Sequence, residues 1–179
     1  MLYVSEIQTA APARFETPLQ ARTYEALRDL RIPFERVDTG EAVTMSDCAA
    51  IDARLGTRMV KTLFLTDRRR KQHWLFVTAG DKPFRSRDCA AALGTARLSF
   101  APAEELETLL GVRVGAATVF SMLLPQARDV RAVFDRAVAA AEWYACSDGT
   151  TTGYLKLRTD AVLNRLLPYA GHPAAVIDV

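Results

Sequence analysis

Two neighbouring apolar segments constrain the fold of this chain more than any other feature. Residues 59–66 and 73–78 are rich in β-forming residues and almost continuously apolar, with the mainly charged residues 67–72 between them. This pattern predicts a β-hairpin. Strands without polar alternation usually have both faces covered. We therefore expect the hairpin to form the middle of a sheet.

Helix signals lie on both sides of the hairpin in the sequence. Thr17-Pro18 predicts the start of a helix that runs to about Leu30. A second helix is predicted at 46–55, ended by Gly56, and a last one begins at Thr159. Shorter helices are predicted at 86–93 and 102–110, and further strands at 34–37, 96–100, 130–134, 143–146, 150–157 and 174–179. Because helices and strands mix without strict alternation, we expect an α/β fold with a mixed, strongly curved sheet.

The length and composition indicate one domain of ordinary size. The chain has 179 residues, 50% hydrophobic and 25% charged, which suits a single core. We expect one domain over residues 1–179, with 1–15 as an irregular N-terminal arm. Three scattered cysteines argue against a disulfide framework and favour a reducing compartment. Since neither a secretory signal nor a membrane-spanning stretch is evident, we expect a soluble cytoplasmic protein with no membrane partner.

Positive charge is concentrated in one part of the chain, although the net charge is +2. Between positions 54 and 71, seven basic residues stand against one acid, Asp67. The basic residues are Arg54, Arg58, Lys61, Arg68, Arg69, Arg70 and Lys71. The run at 68–71 is either a solvated hairpin tip or a patch that contacts phosphates.

The common catalytic motifs are absent from the sequence. It contains no G-x-S-x-G, no H-E-x-x-H and no phosphate-binding glycine loop. Its two histidines, His73 and His172, and its dispersed cysteines do not form a zinc-binding pattern. We therefore expect neither a metal nor a cofactor.

Three local features each allow two interpretations. Lys61 interrupts an apolar strand, either because its head reaches water at the strand end or because its ammonium lies at the rim of a pocket. The small residues 115–118 either permit close backbone packing or form a bend whose N–H groups hold a carbonyl or an oxyanion. Cys146 is interpreted as a buried small hydrophobe rather than as a nucleophile.

Several segments resemble one known family when their order and spacing are taken together. They are Leu27–Asp38, Met59–Asp67, Gly80–Lys82, Arg97–Ala101, Leu110–Gly115 and Gly171–Asp178. Over about residues 20–179 the chain resembles the YbaK/ProX family of aminoacyl-tRNA deacylases, in particular its ProX/PrdX branch. The resemblance implies hydrolysis of the ester that joins a wrong amino acid to the 3′ end of tRNA. It also implies an α/β fold whose β-sheet is barrel-like and flanked by helices, with no metal and no cofactor.

The resemblance further implies a set of site residues. The family's strand lysine carries over to Lys61, which would orient the tRNA end or the ester through charge-assisted hydrogen bonds while water attacks the carbonyl. The implied substrate-binding residues are Thr62, Gly115, Ala116, Ala117, Thr118, Ser147 and Thr150. Within this set, residues 115–118 would supply backbone donors, and the threonine hydroxyls would bind the amino group or a side-chain hydroxyl. The residues expected to contact tRNA are Arg58, Arg85 and Arg87.

This sequence departs from the family pattern at three places. Thr62 stands where asparagine is common, and Val119 stands where the glycine loop often has proline. Residues 145–150 lack the family's His-Pro pair. The expected substrate is a small amino acid on tRNA-Pro or a related tRNA. Two alternatives stay open: a catalytically weakened tRNA-binding or regulatory module, and a hydrolase for another small acyl ester or amide.

Overall fold

The structure is a computed structural model that describes residues 2–42 and 44–179. Its strands are β1 (Glu35–Asp38), β2 (Val60–Asp67), β3 (His73–Ala79), β4 (Leu98–Phe100), β5 (Val130–Asp135), β6 (Trp143–Ser147), β7 (Gly153–Arg158) and β8 (Ala175–Ile177). Its α-helices are α1 (Pro18–Asp29), α2 (Met45–Leu55), α3 (Ser86–Ala92), α4 (Ala103–Glu105), α5 (Arg136–Ala139), α6 (Thr159–Ala161) and α7 (Leu167–Tyr169). Residues 106–110 and 162–166 form π-helical turns, and 119–123 and 125–127 form 3₁₀ turns.

The larger sheet has five strands in the order β4-β2-β3-β5-β8. Strands β2 and β3 are an antiparallel hairpin, β4 pairs antiparallel with β2, and β5 and β8 add in parallel. Side chains of the hairpin are buried on both faces: Phe64 and Leu75 join one core cluster, while Leu65 and Phe76 join another. The predicted hairpin and its place in the middle of a sheet are confirmed.

The smaller sheet has three antiparallel strands in the order β1-β7-β6. It meets the larger sheet through a single bridge between Met59 and Ala145. In the described part of the chain the strands therefore form two open sheets, so the predicted single, strongly curved and barrel-like sheet is wrong. The physical reason is that the β6 ladder stops after this one bridge and does not continue along β2. The mixed α/β character of the fold is confirmed.

Local capping signals set where the helices begin and end. Thr17 caps α1, as predicted, by accepting a hydrogen bond from the Gln20 backbone N–H at 3.1 Å. Helix α2 begins one residue earlier than predicted, because Thr44 and Asp47 form a capping box, and it ends at Gly56 with φ of 66°. Within residues 2–42 and 44–179, no helix combines the length and the apolarity that crossing a membrane requires.

Part of the expected N-terminal arm lies against β1. Val4 forms a bridge with Thr39, and Gln8 exchanges backbone hydrogen bonds of 2.8 Å with Arg36. These contacts extend the smaller sheet by one short stretch of extended chain. Residue 1 lies outside the described residues.

Candidate active site

A cavity of about 400 Å³ is lined by residues of both sheets. Its walls come from the larger sheet, the smaller sheet, α2 and the loop that precedes the 3₁₀ turn at 119–123. The lining residues are Ala42, Cys48, Met59, Val60, Thr62, Leu63, Phe64, Phe100, Ala101, Leu106, Val114, Gly115, Ala117, Cys146, Ser147 and Tyr154. Such a mostly apolar cavity with a few polar groups is the usual form of a small-molecule site.

Four of the residues expected to bind substrate meet at this cavity. Thr62 comes from β2, Gly115 and Ala117 from the loop, and Ser147 from the end of β6. Their positions are far apart in the sequence, and the two sheets bring them together. The cavity is therefore the candidate site.

Of the three cavity-lining hydroxyl groups, two have protein partners. Ser147 Oγ donates to the Thr150 carbonyl at 2.5 Å and accepts from the Gly149 N–H at 3.0 Å. The Tyr154 hydroxyl lies 3.2 Å from the carbonyl oxygens of Ala42 and Thr151. Thr62 makes no comparable bond to a backbone group in the described chain. Its hydroxyl lies beside the buried Tyr144 hydroxyl and is the cavity hydroxyl that is not bonded to the backbone.

Tyr144 lies beside Thr62 and was not identified from the sequence. Its hydroxyl is fully buried and lacks a hydrogen-bond partner among the described residues. Burial and the nearby Cys146 raise the pKa of Tyr144 well above its usual value, while the Thr62 hydroxyl acts in the opposite direction. The alternation of side chains along β6 could have identified Tyr144. It places Tyr144 on the same side of the strand as Cys146, which lines the cavity.

The loop at 115–118 borders the cavity through Gly115 and Ala117. Gly115 has φ of 93°, a left-handed conformation that favours glycine. The Ala116 N–H donates to the Arg113 carbonyl at 3.1 Å. The N–H groups of Gly115 and Ala117 have no acceptor within residues 2–42 and 44–179, and both residues line the cavity. A bend therefore borders the cavity here, and its role as a donor site stays a prediction.

Thr118 fixes this loop rather than lining the cavity. Its hydroxyl donates to the Ser147 carbonyl at 2.7 Å, and its oxygen accepts from the Phe120 N–H at 3.4 Å. The side chain therefore caps the 3₁₀ turn and ties it to the end of β6. Its hydroxyl is engaged within the protein.

Thr150 and Ala116 line a separate cavity of about 200 Å³. The Thr150 hydroxyl donates to Asp148 Oδ1 at 2.8 Å, and its oxygen accepts from the Gly153 N–H at 2.9 Å. Thr150 therefore holds the turn between β6 and β7. The structure does not bring it together with Thr62.

Asp148 is the centre of the buried polar network in that turn, and the sequence analysis did not identify it. Its carboxylate accepts hydrogen bonds from Gln20 Nε2 at 2.8 Å and from the Tyr24 hydroxyl at 3.0 Å, as well as from Thr150. A side chain at Gly153 would place its Cβ 2.2 Å from Asp148 Oδ2. The network anchors the β6–β7 turn to α1.

Lys61 is directed away from the cavity-lining Thr62, as expected for successive residues of a strand. Its ammonium donates to the Lys82 carbonyl at 2.7 Å. The Lys82 ammonium in turn contacts Asp135 Oδ2 at 2.7 Å, and the Thr78 hydroxyl donates to the same oxygen at 2.8 Å. Burial opposes ionisation of Asp135, but these bonds hold the pKa of its carboxyl below the usual value.

The three arginines expected to contact tRNA lie at different places. Arg58 precedes the cavity-lining Met59 and forms an ion pair with Asp81. Arg85 is exposed and lines a different cavity, of about 250 Å³, together with Lys82. Arg87 is exposed on α3. Of the three, Arg58 is the one next to a wall of the candidate site.

Cys146 lines the cavity but is fully buried. Burial raises the pKa of its thiol to about 12, so the thiol is neutral at pH 7. Within the described part of the chain, no group of three or more histidine, cysteine or acidic side chains is placed to hold a metal ion.

Comparisons with known proteins show which family the chain resembles. The family model described as "Aminoacyl-tRNA editing domain" matches residues 39–164. The prolyl-tRNA editing protein ProX of Acetoanaerobium sticklandii is 29% identical over 110 residues, which cover 62% of this chain and 67% of that protein. Prolyl-tRNA synthetase associated domain-containing protein 1 of Danio rerio is 30% identical over 133 residues, 74% of this chain and 71% of that protein.

A solved structure, described as that of a candidate trans-editing enzyme for prolyl-tRNA synthetase, has a similar fold. Its TM-score is 0.65 at 16% identity, and the match covers 92% of this chain and 99% of that one. This likeness concerns the fold alone.

The structure is an α/β protein with a mostly apolar cavity that both sheets line. The chain belongs to the aminoacyl-tRNA editing domain family. Membership confirms the resemblance seen in the sequence and the class of activity that it implied, which is hydrolysis of a mischarged aminoacyl-tRNA.

Proposed function

We propose that the cavity receives the aminoacyl group of a mischarged tRNA and that its ester is hydrolysed there. The observation that carries the proposal is the meeting of the Thr62 hydroxyl with the N–H groups of Gly115 and Ala117 at one mostly apolar cavity. Backbone donors aimed at a carbonyl oxygen stabilise the negative charge that develops on it during acyl transfer. Because they belong to a fixed loop, they need little reorganisation in the transition state.

The reaction requires water as its other reactant. The water oxygen bonds to the acyl carbon, and the bond from that carbon to the ribose oxygen breaks. The ribose hydroxyl takes up a proton, so the products are the free amino acid and uncharged tRNA. Gly115 and Ala117 hold the carbonyl oxygen, and Thr62 binds the amino group or a side-chain hydroxyl of the aminoacyl group.

The walls of the cavity select small amino acids. Phe64 and Leu106 line the cavity together with Thr62, and their side chains would limit the size of the amino acid that fits. A synthetase separates amino acids that differ by one methylene by only ~1–3 kcal/mol, so small wrong amino acids are attached and need a second site for removal. Because one relative is a prolyl-tRNA editing protein and the other is a prolyl-tRNA synthetase associated protein, we propose that the substrate is tRNA-Pro or a related tRNA.

Lys61 and the arginines are assigned to the tRNA. The Lys61 ammonium has three donors and uses one on the Lys82 carbonyl, so it has donors left for the tRNA end. Arg58 lies beside the cavity wall, and Arg85 and Arg87 are exposed. Ala116, Thr118, Ser147 and Thr150 support the loop and the turn that border the site.

The test is hydrolysis of a panel of aminoacyl-tRNAs by the wild type and by Lys61→Ala. The panel carries Ala, Ser, Thr, Cys and 2-aminobutyrate, each on tRNA-Pro and on its own tRNA. Selective release by the wild type, with kcat/KM lowered roughly 10- to 100-fold in Lys61→Ala, supports the proposal, since a hydrogen bond from a charged group contributes about 1.5–3 kcal/mol. The matched control is Lys156→Ala, whose ammonium is engaged by Glu35 at 3.0 Å on the smaller sheet.

No release from any member of the panel would contradict deacylation. If tRNA binding then weakened steeply with salt, the weakened binding module would be the better description.

A further inference from the structure

Two large apolar side chains stand exposed at the mouth of the candidate site. Phe100 is 61% exposed and Val114 is 67% exposed, and both line the cavity. Phe100 belongs to β4, the edge strand of the larger sheet, and Val114 belongs to the loop that leads to Gly115. Because Phe100 pairs with Leu65, its ring lies on the same sheet face as the cavity-lining Leu63 and borders the cavity at the edge of the sheet.

The Phe100 ring is held in place from one side. The Phe84 ring lies 5.5 Å from it, centroid to centroid, with 58° between the ring planes. The backbone is held as well, because Phe100 pairs with Leu65 on β2 and the Ala101 N–H donates to the Phe64 carbonyl at 2.9 Å. Support on one side and high exposure on the other make the ring a pre-ordered surface for a flat ligand.

The geometry points to the nucleobase of the 3′-terminal nucleotide as that ligand. This inference rests on the proposed function: if the ester sits beside Gly115 and Ala117, the ribose and its base must leave through the cavity mouth. An aromatic ring at that mouth stacks on a base whatever the sequence of the RNA. We infer that Phe100 stacks on the terminal base and that Val114 contacts the same nucleotide.

The inference is tested by binding, with uncharged RNA. Two acceptor-stem minihelices are compared by fluorescence anisotropy, one with an intact 3′-terminal nucleotide and one in which that nucleotide lacks its base. For the intact RNA, Phe100→Ala raises Kd roughly 5- to 150-fold, the loss expected for one stacked base. For the RNA without the base, wild type and Phe100→Ala bind equally.

Two further variants separate stacking from a structural role. Phe100→Trp retains the preference for the intact base, because it keeps a flat ring at the mouth. Tyr169→Ala removes an exposed aromatic residue from α7 and leaves both affinities unchanged. In hydrolysis of aminoacyl-tRNA, Phe100→Ala raises KM and changes kcat less.

An equal loss on both RNAs, or no loss on either, would overturn the inference. The proposed function is judged separately by hydrolysis with the wild-type protein. In one outcome, the wild type deacylates its substrate while Phe100→Ala loses no affinity that depends on the base. That result would refute stacking and leave the proposed deacylase function supported.

Discussion

Two buried polar clusters flank strand β6, and they differ in whether their hydrogen bonds are satisfied. In the turn after β6, Asp148 accepts hydrogen bonds from Gln20, Tyr24 and Thr150. Near the start of β6, the buried Tyr144 hydroxyl has no partner in the described chain, and the Thr62 side chain beside it faces the cavity.

A satisfied network stabilises the fold, whereas unpaired polar groups next to a cavity destabilise it and persist where a ligand uses the site. The Asp148 cluster is accordingly assigned to structure and the Thr62 cluster to function. The predictions below test this assignment.

Removing the centre of the satisfied network should have the largest effect on stability. Asp148→Ala is expected to lower the free energy of unfolding by about 3 kcal/mol, because it leaves buried donors of Gln20, Tyr24 and Thr150 without an acceptor. The measurement is urea denaturation followed by circular dichroism. Asp129→Ala, at an aspartate whose side chain is 90% exposed, is the control and should change stability by less than about 0.5 kcal/mol. A loss below about 1 kcal/mol for Asp148→Ala would refute the structural assignment.

Two tyrosines provide a matched pair for the same comparison. Tyr24→Phe removes a hydroxyl bonded to Asp148 and should lower the free energy of unfolding by about 1.5 kcal/mol. Tyr144→Phe removes a buried hydroxyl without a partner and should leave stability unchanged or raise it by up to about 1 kcal/mol. The measurement is the free energy of unfolding of both variants, from thermal and urea denaturation. Equal losses for the two variants would show that the clusters do not differ as described.

Two threonines extend the comparison to activity. Thr62→Val should lower kcat/KM for the mischarged substrate about 10-fold with little change in stability, since we propose that its hydroxyl binds the aminoacyl group. Thr150→Val should lower the free energy of unfolding by about 1–2 kcal/mol, because Asp148 and the Gly153 N–H lose a partner. Thr108→Val, at an exposed helical threonine, controls for the change of residue type. The account fails here if Thr62→Val mainly destabilises the protein and its activity is unaltered.

Local signals explain why part of the fold was predictable from the sequence. The α1 start follows from Thr17-Pro18, and the central hairpin follows from two apolar runs joined by a short charged link. Both features depend on residues that are close together in the chain. The sheet closure was wrongly predicted because it depends on pairing between distant strands, which the residue pattern does not encode.

The candidate site was predicted only in part, for the same reason. Thr62, Gly115, Ala117 and Ser147 meet at the cavity, as the resemblance implied. Thr118 and Thr150 are engaged within the protein instead, because their nearest partners are the Ser147 carbonyl and the Asp148 carboxylate. The Asp148 network joins residues more than 120 positions apart, so no local pattern indicates it.

The central claim is that hydrolysis takes place in the cavity bordered by Thr62, Gly115 and Ala117. The most direct measurement is single-turnover hydrolysis of the preferred aminoacyl-tRNA by the wild type, by Ala117→Leu and by Ala92→Leu, with folding of each checked by thermal unfolding. The account predicts that Ala117→Leu, which adds bulk to the cavity wall at the proposed position of the ester, lowers the rate at least about 100-fold while remaining folded. Ala92→Leu, at an exposed position on α3, should match the wild type. Hydrolysis by folded Ala117→Leu at the wild-type rate would contradict the assignment of the site.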